Sequence, residues 1–72
     1  MPAPAADQFF HSLFASKAVQ DGAVIRRKVR DVERFVGREL FLAELKRRGY
    51  SAVENAGQFV IFCNAEPIRR IL

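Results

Sequence analysis

The chain holds one cysteine, Cys63, and one histidine, His11, the residue types that most readily supply a nucleophile and its base. A reactive thiol needs its pKa lowered by a histidine, a helix N-terminus or a nearby cation. Cys63 comes late in the run GQFVIFCN, residues 57–64, which reads as a strand, whereas His11 falls on a helical stretch near the N-terminus. The two make no dyad, and Cys63 reads as a buried, inert thiol, since free cysteine is among the most buried residue types. A single cysteine excludes an internal disulfide, and a single histidine leaves no Cys/His set at zinc spacing. Asp31, Glu33, Glu39 and Glu44 are scattered through basic helices, where solvated pairing with arginines accounts for them. The residues therefore name no catalytic group, no metal site and no cofactor, and enzymatic activity is the least favoured class.

The cations make a stronger case. The net charge is +4, but residues 26–48 hold nine Lys or Arg against four Asp or Glu, so this central block carries +5 and the remainder sums to −1. Within it, IRRKVR brings Arg26, Arg27, Lys28 and Arg30 together, Arg38 follows a glycine, and KRRGY ends a helix with Lys46, Arg47 and Arg48. Arginine forks take phosphate oxygens bidentately, and each neutralised phosphate adds salt-dependent affinity. The expected function is a small basic domain that binds nucleic acid or another polyanion without catalysis. A plainer account of the same residues is a solvated strand face and three cations complementing the negative end of a helix.

A competing expectation comes from residues 59–63. Phe59, Ile61 and Cys63 point to one side of the strand and Val60, Phe62 and Asn64 to the other, and both sides are largely apolar. A sheet with helices on one face and water on the other normally alternates. Either the phenylalanine-rich N-terminal helix crosses to cover Val60 and Phe62, or a second copy does, which makes a protein-interaction or homodimerisation module the alternative.

The elements that carry these residues follow from the pattern. Seventy-two residues make one domain with a thin core, which the 50% apolar share and seven phenylalanines can fill. Residues 1–6 read as a loose lead and 7–72 as a single α+β domain. No apolar run reaches the roughly 20 residues of a membrane span, and the start lacks a secretion signal, so a cytoplasmic protein is expected. Asp7 opens a helix in which Phe9, Phe10, Leu13 and Phe14 share one arc, running to about Gln20, with Gly22 as its stop. A short strand follows around AVIRR. In VRDVERFVGRELFLAELKRRGY the apolar stripe changes face: Val29, Val32, Phe35 and Val36 define one arc, and Phe41, Leu42 and Leu45 point about 140° away at about 100° per residue. This predicts two helices, or one kinked at Gly37, ending at Gly49. YSAVENAGQFVIFCN reads as a hairpin with its turn in ENAG. The tail AEPIRRIL is either a third strand or a terminal extension.

Helix, short strand, two helices and hairpin is the element order of a winged-helix domain, and the chain resembles one in outline. Arg38 departs from the helix-turn-helix pattern, which places an apolar residue after the turn glycine, and Glu39 and Glu44 on the would-be recognition helix repel phosphate. A closer resemblance spans roughly residues 15 to 64: SKAVQDGAVIRRKVRDVERFVGRELF, ELKRRGY and GQFVIFCNA resemble a family of short uncharacterised bacterial proteins, some labelled phosphoribosylanthranilate isomerase. The label implies a tryptophan-pathway isomerase on a β/α barrel, which takes about 250 residues to close. It also implies a cysteine base opposite an aspartic acid and a glycine-rich phosphate loop. Here Cys63 is followed by Asn64 in an apolar strand and no such loop exists, so the resemblance carries no mechanism.

Overall fold

A computed structural model describes residues 4–72 of the chain. Of the expected loose lead, residues 1–3 lie outside the described residues and residues 4–6 already belong to helix α1, Pro4–Phe14. The helix expected to reach Gln20 ends instead at Phe14, and a separate short turn, α2, covers Lys17–Gln20. Ser16 is the cause: its backbone is extended (φ −67°, ψ 145°) and its hydroxyl accepts a hydrogen bond from the Val19 N–H at 3.4 Å. Serine in that role caps a new helix rather than continuing the old one, and the change of direction delivers Val19 to the core.

Strand β1 (Val24–Lys28) leads directly into α3 (Val29–Phe35), followed by α4 (Arg38–Arg47), β2 (Ser51–Asn55) and β3 (Gln58–Phe62). The break between α3 and α4 falls at Gly37, as the change of apolar face predicts. Val36 and Gly37 both donate their N–H to the Val32 carbonyl at 2.9 Å, and α4 starts when the Phe41 N–H reaches the Gly37 carbonyl at 3.1 Å. The three strands form one antiparallel sheet in the order β1-β3-β2. One further rung, from the Cys63 N–H to the Ala23 carbonyl at 3.1 Å, closes the β1 side, after which residues 65–72 form no strand. The tail is thus the terminal extension of the two alternatives.

The hairpin turns on Ala56 and Gly57, with φ of 52° and 74°. Two positive φ values in succession define the tight turn that matches the twist of paired strands, and asparagine followed by glycine suits it best. Alanine there carries Cβ strain that asparagine tolerates better. Replacing Ala56→Asn is therefore expected to stabilise the protein by about 0.5–1 kcal/mol, seen as a higher thermal midpoint, and Ala56→Val to lower that midpoint.

Strand parity divides the sheet cleanly. Ile25, Ala52, Phe59 and Ile61 face the helices and join the core with Leu13, Val19, Val32, Phe41, Leu45 and Cys63. Phe41 is the centre of this layer, wholly buried, with the rings of Phe9, Phe10 and Phe59 at 6.2, 6.5 and 5.3 Å. The apolar arcs read from periodicity are only partly buried: Phe35 and Leu42 remain 42% and 39% exposed. Each lies beside a break or a free helix face where no second layer exists to cover it.

Candidate functional site

The phenylalanine helix does not cross the sheet. Phe9, Phe10 and Phe14 pack against the Phe41 side, so the helices all contribute to one layer and the opposite sheet face stays open. By register that face reads, row by row, Val24, Phe62 and Ser51; Arg26, Val60 and Val53; and Lys28, Gln58 and Asn55. Val24 and Val53 are 53% and 47% exposed, and Val60 and Phe62 on the strand between them are half-buried. Four contiguous apolar side chains thus form one end of the face. The other end is polar and tied together by Arg26, whose Nε donates to Gln58 Oε1 at 2.5 Å and whose Nη2 donates to Asn55 Oδ1 at 2.7 Å. Val24 and Val53 escape a reading of β3 alone, because only the register shows which residues of the flanking strands share a face with Val60.

The cations expected to hold a polyanion do not gather. Arg26 and Lys28 lie on the open sheet face and Arg30 on the first turn of α3, beside the hairpin, since the Val29 N–H donates to the Gly57 carbonyl at 2.9 Å. Lys46, Arg47 and Arg48 end α4, which leads into β2 at Ser51, opposite Phe62 and thus at the far end of the sheet. Four residue steps of strand, about 14 Å, separate the two ends, and α4 lies in the other layer. Three of these cations already pair with a carboxylate. Arg38 Nη2 meets Glu54 Oε1 at 2.7 Å, a hydrogen bond that raises its pKa, and the guanidinium lies 5.1 Å over the Phe59 ring. This planar group covers one side of Phe59. Arg47 and Arg48 both pair with Glu44, and the Arg48 guanidinium stacks 3.7 Å over the Phe14 ring. Arg27 turns to the helical side of β1, opposite Phe59, and lines a cleft between α1 and α3.

Cys63 sits in the core, its Sγ within 3.9 Å of the Ile61 carbonyl. Burial pushes its pKa up and the charge of Arg27 only partly opposes this, so the thiol is held protonated, which suits neither a nucleophile nor a general base. His11 is exposed on α1. Among the described residues no three His, Cys, Asp or Glu side chains come together as a metal site requires, and no helix is long and apolar enough to cross a membrane. The chain matches no family model, and no curated protein or solved structure is similar enough to it to count as a match.

Proposed function

We propose that this domain is a non-catalytic interaction module that pairs with a second copy of itself through the open face of its sheet. The observation that carries the reading is the contiguous block of Val24, Val53, Val60 and Phe62 on the side opposite every helix. Apolar side chains in a block leave water more favourably when two such faces meet than when each stays solvated. Three strands about 4.8 Å apart and five residues long cover roughly 200 Å² in projection. A stable complex buries about 800 Å² per partner. The dimer is accordingly weak and concentration-dependent, forming above about 10 µM rather than at nanomolar levels.

Sedimentation equilibrium or light scattering from about 10 µM to about 1 mM tests this, a range chosen to bracket a weak association. The mass is expected to climb from 8.2 kDa toward twice that value. Val60→Glu is expected to hold it at the monomer mass, because the new carboxylate lies directly opposite Arg26 on β1 and is satisfied within its own chain. A mass that stays at 8.2 kDa throughout, or equal association by the variant, removes the proposal.

A second reading, binding of nucleic acid or another polyanion, keeps one specific support. The connectivity of helix, strand, two helices and hairpin, with strand order β1-β3-β2, resembles a winged-helix domain in outline, and Lys28 and Arg30 stand exposed beside the hairpin tip. Short DNA or RNA would then be retained at low salt and released as salt rises, and Lys28→Glu with Arg30→Glu would weaken retention. Absence of any salt-sensitive complex excludes this reading.

A further inference from the structure

Arg27 is the cation of the basic block that lines a cleft between α1 and α3. It is half-buried, on the helical side of edge strand β1, and takes part in no ion pair among the described residues. Its Nη1 donates to the Arg26 carbonyl at 2.7 Å, which holds the guanidinium in place, while Nε and Nη2 have no acceptor among the described residues. Arg38, Arg47 and Arg48, by contrast, each have a carboxylate. The remaining N–H groups of Arg27 are open to solvent and available to an anion that enters the cleft.

The space beside Arg27 has the form of a small binding site. A cleft of about 300 Å³ opens between α1 and α3, lined by Gln8, Phe9, Ser12, Leu13, Arg27 and Phe35. Phe9 and Phe35 stack on each other in its wall, centroids 6.3 Å apart and planes 22° from each other. Among the described residues the lining holds one positive charge, two neutral polar groups and no carboxylate. Apolar walls with a few convergent polar groups are the usual make-up of a small-molecule site, and this one lies at the lower end of the size range.

We infer that this cleft binds a small monocarboxylate bearing one aromatic ring or a short alkyl chain. The carboxylate takes the free N–H groups of Arg27 as a charge-assisted pair. The apolar part rests against Phe9, Leu13 and Phe35, and Gln8 and Ser12 supply hydrogen bonds at the rim. About ten non-hydrogen atoms fill the space, which corresponds to a Kd in the range of about 0.1–1 mM. The site lies on the helical side of the sheet, so it stands or falls independently of self-association through the open face.

The test compares 3-phenylpropanoate with 3-phenylpropanamide, equal in shape and different in charge, by titration into ¹⁵N-labelled protein at physiological salt. The acid is expected to shift the amide signals of Gln8, Phe9, Ser12 and Phe35 saturably, and the amide to bind at least about tenfold more weakly. Arg27→Met, which keeps the unbranched stem, is expected to bring the acid down to the affinity of the amide. Equal affinity of the two compounds for the unaltered protein overturns the inference even if the variant fails to fold. So does a set of shifts spread over Lys28, Arg30 and Lys46, or one reproduced by acetate, because either marks ionic contact without a site.

Discussion

Phe41→Ala is expected to remove a large part of the protein's stability. Phe41 is wholly buried and its ring meets those of Phe9, Phe10 and Phe59. Truncating a core phenylalanine costs about 3–5 kcal/mol, the transfer of the ring plus the cavity left behind. A chain of this length has roughly 4–11 kcal/mol in total at the usual stability per residue. One side chain therefore accounts for roughly a quarter or more of the whole. In urea the midpoint is expected to fall by about 2 M or more, given the shallow denaturant dependence of small domains. Phe35→Ala, with Phe35 42% exposed, is the comparison and is expected to lose less than half as much. Equal losses from the two would show that the aromatic cluster is not centred on Phe41.

Gly37→Ala is the second large effect and acts through the backbone alone. Gly37 has φ 91° and ψ 143°, a conformation that L side chains rarely adopt, and a Cβ built there meets nothing within 4 Å. No clash contributes, so the expected loss of about 1–3 kcal/mol is the conformational strain itself. For a domain of this size each kilocalorie moves the thermal midpoint by about 4–8 °C. Circular dichroism during heating reads the shift directly. An unchanged midpoint would mean that α3 and α4 can meet without this residue, for instance by fusing into one helix. The register of the stripe argues against fusion, because a continuous helix cannot bury Val32 and both Phe41 and Leu45 on the same sheet.

The parts of the fold that were legible beforehand are those written in neighbouring residues. Gly37 between two differently phased stripes marks the joint, and Asn55, Ala56 and Gly57 between two β-rich runs mark the hairpin. The break at Ser16 was equally local but lay within a stretch of helix-forming residues, where a serine reads as easily as an exposed helical position as a cap. Phe35 and Leu42 stay exposed for a different reason. Periodicity reports that a residue lies on an apolar arc, and whether anything covers that arc depends on elements distant in the chain. The basic block shows the same limit more sharply, since Arg26 and Arg27 are adjacent in sequence and face opposite sides of the sheet.

The missing alternation in GQFVIFCN proved informative, although its meaning needed the fold. From the chain alone follow an α+β domain, a joint at Gly37, a tight hairpin, a buried Cys63 and a strand apolar on both sides. These depend on local backbone preference, on the period of the side chains and on composition. Only the tertiary structure decided that the phenylalanine helix stays with Phe41, that Val24 and Val53 join Val60 and Phe62, that the cations divide between two ends of the sheet, and that Arg27 looks into a cleft. Each of these is a pairing between residues far apart in the chain. The order β1-β3-β2 sets which residues stand opposite, and no local pattern encodes that register.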